Sequence, residues 1–182
     1  VLIPKVADPR KMTEFRPISL CNVTYKIIFK VLANRMKRFL PQITSENQSA
    51  FVPGRLITDN VLVAFECMHH LKSRTKGKEG FMAFKLDMSK AYDRVEWVFV
   101  RAVLRKLGFA ERWVELVMEC ISSVSYAVIF NGQKSNVFCP SRGLRQGDPI
   151  SPYLFILCAE ALSSLLSRAN DSGVIHGVRV AR

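Results

Sequence analysis

One carboxylate stands where a metal-binding group would be expected. Asp87 closes the segment FMAFKLD, an apolar run that only Lys85 interrupts. This pattern predicts a buried strand over residues 81–87 with an acid at its C-terminal end. A carboxylate in that position can hold Mg²⁺, which favours one or two carboxylates together with substrate phosphates. The residues alone also allow Asp87 to cap the turn that begins at Met88.

A second group of candidate residues lies in the segment RGLRQGDPISPYLF, residues 142–155. Its glycines, including Gly147, let a backbone approach a ligand closely. Arg142 and Arg145 bring positive charge, and Gln146 offers an amide. The segment runs into a predicted helix N-terminus, where phosphates bind readily. The alternative interpretation is a flexible connector followed by a well-capped helix.

Two cations near the start of the chain form a third candidate group. Lys5 and Arg16 stand on the segments LIPKV and FRPISL, which are extended and joined by a polar turn. If the segments pair as a hairpin, both side chains could reach one triphosphate through charge-assisted contacts. Two surface cations on a hairpin would give the same pattern.

The composition indicates the kind of partner. The 182 residues are 49% apolar, which is enough for a sizeable core, and they carry a net charge of +12. Such a charge favours a polyanion, nucleic acid before membrane, although a basic surface without a specific role has the same composition. The five cysteines include no CxxC pair, which favours reduced thiols in an intracellular compartment, nucleus or cytoplasm, over disulfides or zinc. No apolar run approaches the length of a membrane span.

The spacing of the apolar residues and the positions of glycine, proline and capping residues predict a mixed α+β chain with few local βαβ units. Asn22 is predicted to cap a helix whose apolar face includes Val23, Ile27, Val31 and Leu32. Further predictions are helices over about 59–74, 96–107, 110–121 and 151–169, with Gly108 ending the second of these, and a hairpin over 124–139 around Asn131-Gly132. The chain begins in one predicted strand, VLIP, and ends in another, VRVAR, which suggests that it is a piece of a longer protein.

Six motifs in a fixed order give these candidate groups a common interpretation. They are LIPK, FRPISLCNVTYKI, NQSAFVPGR, KLDMSKAYDRVEW, NG and RGLRQGDPISPYLFI. In this order they resemble the reverse transcriptase domain of non-LTR, LINE-type retrotransposons, particularly the kind found in plants. The resemblance covers essentially the whole chain.

The resemblance implies a fold and a reaction. The fold would be that of a right-hand polymerase, with fingers at roughly 1–79 and 100–145 and palm at roughly 80–99 and 146–182. The reaction would add dNTPs to a primer 3′-hydroxyl along an RNA template, with DNA as primer or target. Two Mg²⁺ ions, which Mn²⁺ could replace, would clamp the attacking and leaving oxygens. No membrane partner is implied, and the oligomeric state is open.

The resemblance also implies a role for each matching residue. Asp87 matches the first catalytic aspartate, which binds Mg²⁺ together with the backbone carbonyl of Met88. Tyr92 matches the aromatic residue that rejects a 2′-hydroxyl on the incoming sugar. The remaining matches are Lys5, Arg16, Gln146 and Gly147 for the dNTP, and Gln48, Gly54, Arg55, Arg142 and Arg145 for the template. Phe51, Trp97, Trp113 and Phe155 are interpreted as core residues.

One family motif has no counterpart in these 182 residues. The family carries an Ala-Asp-Asp hairpin after the helix that follows RQGDPISP, and the available acids Asp93, Asp148 and Asp171 lie outside such a motif. We therefore expect a truncated domain that is inactive alone. Two alternatives remain: a non-catalytic nucleic-acid-binding remnant of such an element, and a group II intron-type reverse transcriptase and maturase.

Overall fold

Helices account for most of the ordered elements in this computed structural model, which describes residues 1–74, 80–130 and 132–178. These ranges contain the helices α1 Val23–Lys37, α2 Leu40–Ile43, α3 Ile57–Ser73, α4 Trp97–Lys106, α5 Glu111–Ser122 and α6 Ser151–Asp171. Short strands form two antiparallel pairs, β1 Leu2–Pro4 with β2 Phe15–Pro17 and β3 Ile129–Phe130 with β4 Gln133–Lys134. The described residues are thus α+β, as the sequence predicts.

The hydrophobic core lies among α1, α4, α5 and α6. Phe29 and Met36 on α1, Leu104 on α4, Val117 on α5 and Leu154 on α6 are fully buried. Helix α4 packs against both α5 and α6, and α1 packs against α6. Since each large apolar side chain gains roughly 1.5–3 kcal/mol on burial, this bundle is the stable scaffold of the chain.

Helix α1 begins at the predicted cap but buries a different face. The Oδ1 atom of Asn22 accepts the backbone N–H of Tyr25 at 2.8 Å, which confirms the cap. The predicted face is wrong, because Val23, Ile27 and Val31 are exposed. The buried stripe is Phe29, Leu32, Ala33 and Met36. Its spacing of three, four and seven residues gives one continuous core-facing stripe, and only Leu32 was in the predicted set.

Gly108 forms the corner between α4 and α5, and two partly exposed ion pairs lie beside it. Gly108 follows the end of α4 with φ +83°, a left-handed conformation that favours glycine, so the predicted stop is confirmed. Beyond the corner, Arg101 pairs with Glu115 and Arg105 pairs with Glu111 across the two helices. The buried faces of both helices consequently meet the core together.

Helix α6 starts at Ser151, where its predicted range begins, carries Pro152 in its first turn and extends to Asp171. It is the longest of the described helices. None of the helices in the described ranges combines the length and the apolar character that crossing a membrane requires.

The hairpin before α6 is shorter than predicted. Only Ile129 and Phe130 pair with Gln133 and Lys134, followed by one isolated bridge between Tyr126 and Phe138. Gly132 has φ +78°, which suits a tight turn, whereas the Asn131 position of that turn lies outside the described residues.

The strand predicted over residues 81–87 is absent, which corrects the sequence prediction. These residues form neither helix nor strand, and Phe84 and Leu86 are 76% and 69% exposed. A strand needs a neighbour that pairs with its backbone groups and a surface that covers its side chains. Among the described residues, no strand lies beside this segment.

Helix α3 matches its predicted range closely but contributes nothing to the core. The prediction placed it over about 59–74, and it spans Ile57–Ser73. It contains no buried residue, and Leu62, Val63 and Phe65 are exposed. Its side chains hydrogen-bond to the rest of the described chain only through Asn60, which accepts from Ser49 Oγ at 2.8 Å and donates to Asn47 O at 3.2 Å.

Candidate nucleotide and nucleic-acid site

The predicted hairpin of the two cations is present. Strands β1 and β2 pair in the register Ile3 with Arg16, and the Lys5 N–H donates to Glu14 O at 2.7 Å. Arg16 is exposed, whereas the Lys5 Nζ donates to the Thr13 carbonyl at 2.8 Å. Both cations lie on one small hairpin, and their contact with a triphosphate remains a prediction.

The exit of β2 is joined directly to the loop that carries Gln146 and Gly147. The Ser19 N–H donates to the Gln146 carbonyl at 2.9 Å. Gly147 has φ +99°, and a side-chain Cβ there would lie 3.3 Å from Ile18 Cγ2 and 3.4 Å from Ser19 O. Both the conformation and the close approach require glycine at this position. The motifs FRPISLCNVTYKI and RGLRQGDPISPYLFI, which are more than a hundred residues apart in sequence, therefore form one surface.

Arg145 is almost completely buried, and its predicted template contact stays a prediction. Its residue exposure is 9%, its guanidinium lies 3.1 Å from the Asp148 carboxylate, and it donates to the Cys120 carbonyl at 3.0 Å. The guanidinium also lies over the rings of Tyr25 and Phe29, at 4.9 and 4.6 Å from the centroids. A side chain held on four sides ties the loop to α1 and α5, so we assign it an anchoring role.

Asp148 completes this anchor from within the loop. Its Oδ1 accepts the Ile150 N–H at 3.2 Å, which shapes the entry into α6. Burial raises the pKa of its carboxyl above the usual value, and the Ile150 N–H and Arg145 oppose that rise. Asp148 thus both shapes the turn before α6 and pairs with Arg145.

Tyr92 and its neighbours are tied to the start of the same loop. The Tyr92 carbonyl accepts the Leu144 N–H at 2.9 Å, and the Trp97 Nε1 donates to the Gly143 carbonyl at 2.8 Å. The Tyr92 ring packs on Phe155 at 5.1 Å between centroids, and burial raises the pKa of its hydroxyl. The second half of the motif KLDMSKAYDRVEW thus has a fixed position against RGLRQG.

Arg142 is exposed at the edge of this contact. Its Nη1 donates to the Glu96 carboxylate at 2.9 Å, and both side chains are more than half exposed. An exposed pair of this kind contributes little to stability, roughly 0–1 kcal/mol. The guanidinium therefore remains accessible, and its predicted nucleic-acid contact stays a prediction.

Asp87 and Met88, by contrast, are not held in place. Both are exposed and lie outside any helix or strand. The described residues contain no group of three His, Cys, Asp or Glu side chains arranged to hold a metal ion. Asp87 offers one carboxylate, which does not fit the full ligand set of a two-metal centre.

The predicted template residues between α2 and α3 form a self-contained loop. The Arg55 guanidinium donates to the Ser45 carbonyl and, at 2.7 Å, to the Gln48 carbonyl, so it braces its own loop. The Gln48 Oε1 accepts the Ala50 N–H, and Gly54 is exposed with φ +78°. Phe51 is 60% exposed, so its interpretation as a core residue is wrong. The template contacts of this loop stay predictions.

A cavity of about 220 Å³ opens beside the joined motifs. Hydroxyl, amide and thiol groups dominate its lining, and the Arg145 side chain reaches it. The lining residues are Ser19, Leu20, Cys21, Asn22, Tyr25, Ser123, Val124, Ser125, Tyr126 and Arg145. Sequence reasoning missed Tyr25, Ser123 and Tyr126, because they come from α1 and from the segment after α5. Only their tertiary positions identify them.

In this α+β chain, the loop around Gln146 contacts both the β1–β2 hairpin, which carries Lys5 and Arg16, and the turn that contains Tyr92. A family model described as "Reverse transcriptase (RNA-dependent DNA polymerase)" matches residues 3–178. Because the match spans nearly the whole chain, the chain belongs to the reverse transcriptase family.

Curated relatives place this domain among retrotransposon proteins. An uncharacterised 149 kDa protein of transposon TX1 from Xenopus laevis is 33% identical over 92% of this chain and 12% of its own length. A retrovirus-related Pol polyprotein from the type-1 retrotransposable element R2 of Popillia japonica is 27% identical over 96% of this chain and 24% of its own length. These similarities confirm the resemblance to LINE-type reverse transcriptase domains.

A third relative covers a shorter region. An uncharacterised mitochondrial protein of Arabidopsis thaliana is 58% identical over 53 residues, 29% of this chain and 43% of that protein. This chain therefore spans less than half of the length of each of these relatives.

Proposed function

We propose that this chain is part of an RNA-directed DNA polymerase, which adds dNTPs to a primer 3′-hydroxyl along an RNA template. The observation that carries the proposal is the family match over residues 3–178. The hydrogen bond between Ser19 and Gln146 supports it, because the basic hairpin and the glycine-containing loop share one surface. Such a surface suits a nucleotide, whose phosphates attract cations and whose base needs close backbone approach.

The proposed architecture is the right-hand polymerase, with fingers at roughly 1–79 and 100–145 and palm at roughly 80–99 and 146–182. The hairpin and α1 then belong to the fingers, and α6 belongs to the palm. Lys5 and Arg16 would grip the triphosphate while Gln146 and Gly147 meet the nucleotide. The polar cavity beside them would receive part of the template or the incoming nucleotide, with Arg145 in its wall.

The proposed metal is Mg²⁺, with Mn²⁺ as a substitute, and Asp87 is the ligand that the motif identifies. The ion would supply charge neutralisation at the transferring phosphate. Because the described residues offer no further cluster of ligands, we place the remaining carboxylates in another part of the parent protein. The isolated chain is then a nucleic-acid-binding protein without catalysis, which is the second candidate function. The exposed Asp87 favours that candidate for the 182 residues by themselves.

The first test is primer extension on an RNA template with Mg²⁺. We expect no extension by residues 1–182 alone, and extension by a longer protein that adds an Ala-Asp-Asp hairpin and the following region. In that longer protein Asp87→Ala should abolish extension, because the replacement removes the identified ligand. Asp93→Asn is the matched control, since Asp93 is an exposed acid in the neighbouring 3₁₀ turn.

Two results would overturn the assignment. Extension by residues 1–182 alone would mean that the acids present suffice. Full activity of Asp87→Ala in the longer protein would remove Asp87 from the metal site.

Tyr92 carries a second expected outcome in the same longer protein. If its ring faces the sugar, Tyr92→Ala should raise the incorporation of rNTPs relative to dNTPs, whereas Tyr92→Phe should preserve the discrimination. The ratio of incorporation rates for the two substrates measures this directly. An unchanged ratio in Tyr92→Ala would leave the residue only its packing against Phe155.

A further inference from the structure

A second pocket lies on a different part of the surface from the predicted site. It has a volume of about 440 Å³ and is formed by the C-terminal end of α1 and the α4–α5 corner. That size is within the range of small-molecule sites, roughly 300–1,000 Å³. Its lining residues are Arg35, Met36, Arg38, Phe39, Phe109 and Trp113. None of them lines the cavity beside Gln146.

Flat apolar groups dominate the walls of this pocket. The rings of Phe109 and Trp113 are 6.4 Å apart between centroids and only 20° from parallel. Phe39 is 51% exposed, and Met36, which also lines the pocket, is fully buried. The indole Nε1 of Trp113 is buried without an acceptor among the described residues. The pocket therefore combines three aromatic side chains with the exposed cations Arg35 and Arg38.

The charges at this pocket are uncompensated, unlike those of the neighbouring helix pair. Arg101 and Arg105 on α4 pair with Glu115 and Glu111 on α5. Arg35 and Arg38 form no ion pair with an acid of the described chain. The negative end of the α1 dipole favours cations at these positions. That preference does not explain the aromatic surface beside them.

We propose that this pocket binds one nucleotide of single-stranded RNA, which rests on the proposed function because RNA is the polymer that such an enzyme copies. The base would stack against the aromatic side chains Phe39, Phe109 and Trp113, and the flanking phosphates would pair with Arg35 and Arg38. Stacking on aromatic rings and phosphate contacts with arginine are the recurring elements of single-strand recognition. The pocket would hold RNA away from the site of nucleotide addition.

The test measures the affinity of the 182-residue chain for a fluorescein-labelled 12-nucleotide oligoadenylate RNA by anisotropy, over a series of salt concentrations. In the double variant Arg35→Gln/Arg38→Gln we expect at least a tenfold loss of affinity near 0.1 M salt. Each lost contact to a single strand lowers the salt slope by roughly 0.7, so two contacts should lower it by about 1.4.

The matched control is Lys26→Gln/Lys30→Gln. These exposed lysines stand on another face of α1, and their replacement removes the same charge. We expect the control to keep the parent salt slope and to lose less than about threefold in affinity at the same salt. Equal losses in the two double variants would show diffuse charge attraction and would overturn the proposal. Circular dichroism checks that both variants keep the parent helix content.

Tryptophan fluorescence supplies a readout that diffuse attraction cannot give. Titration with AMP should quench the parent protein, and Trp113→Phe should remove the quench while Trp97 remains. A tetrapeptide of sequence Asp-Glu-Phe-Glu is the competing probe. If the peptide quenches Trp113 and AMP does not, the pocket is a peptide site and the proposal is wrong. Primer extension by the longer protein stays informative in either case, because it depends on Asp87.

Discussion

The four-helix core is rich in apolar residues, and so is a second region made of α3 and the segment 80–88, but only the core buries them. Leu104 and Leu154 are completely buried, whereas Leu62, Phe65 and Phe84 are 62%, 68% and 76% exposed. Helices α4, α5 and α6 are close to one another along the chain and cover one another's apolar stripes. The second region has no such neighbour among the described residues.

The two regions differ in burial because only the core has neighbouring helices that cover its apolar side chains, although both regions are apolar in composition. An amphipathic helix gains its stability mainly from the surface that covers its apolar face. A single strand gains even less, because its backbone groups stay unpaired without a neighbour. The loop with Gln146 and Gly147 is fixed by the packed region, and Asp87 belongs to the unpacked one. The two halves of the proposed polymerase site therefore differ in their degree of preorganisation.

The largest expected effect comes from the buried anchor of the packed region. Arg145→Met should cost about 3–5 kcal/mol in the free energy of unfolding, because it leaves the Asp148 carboxylate buried without its partner. Urea denaturation measures the loss. Arg142→Met is the control, since it removes an exposed ion pair worth roughly 0–1 kcal/mol. Similar losses in the two variants would contradict the anchoring role.

The same variant should acquire a characteristic pH dependence. Burial already raises the pKa of Asp148, and removal of Arg145 takes away one of the groups that oppose the rise. From the unfolded-state pKa of about 4 upward, the native state binds more protons than the unfolded state, so stability falls with rising pH until the folded pKa is passed. Arg145→Met should therefore lose less stability at pH 5 than at pH 8. Asp148→Asn combined with Arg145→Met should remove that dependence.

A pair of leucine replacements compares the two regions directly. Leu154→Ala should destabilise the chain by about 2–5 kcal/mol through loss of burial and creation of a cavity. Leu62→Ala removes the same atoms from the exposed α3 and should change stability by no more than about 0.5 kcal/mol. Thermal or urea unfolding of both variants tests the contrast. A large cost for Leu62→Ala would mean that α3 is covered in solution.

The smallest expected effect concerns the start of α1. Asn22→Ala removes the side-chain oxygen that accepts the Tyr25 N–H, and it should cost about 1 kcal/mol. Asn22→Asp keeps an acceptor and should cost much less. A loss in Asn22→Ala as large as that of Leu154→Ala would indicate that the polar cavity beside Asn22 also depends on this residue.

Local signals predicted the local features of the fold. The Asn22 cap, the stop at Gly108, the start of α6 at Ser151 and the pairing of β1 with β2 all depend on residues close together in sequence, and all are present. Motif order identified the family, which the comparison confirmed over residues 3–178. The roles of individual site residues remain predictions.

Features that depend on distant residues were predicted poorly. The strand over 81–87 requires a pairing partner that an apolar run cannot specify. The burial of Arg145 depends on Tyr25 and Phe29 from α1 and on the Cys120 carbonyl from α5. The sequence did contain one local indication of the ion pair between Arg145 and Asp148, because the two residues are three positions apart. The pocket of Arg35, Arg38 and Trp113 joins segments about eighty residues apart, which no spacing rule connects.

The attachment of α3 at Asn60 has a mechanical consequence. A helix of 17 residues at a rise of 1.5 Å per residue is roughly 25 Å long. Its hydrogen bonds from side chains to the rest of the described chain all lie in its first turns, through Asn47 and Ser49. The helix is therefore a lever arm with its fulcrum at Asn60. About 20 Å of helix lies between Asn60 and Ser73, so a tilt of about 10° at Asn60 would displace Ser73 by roughly 3 Å.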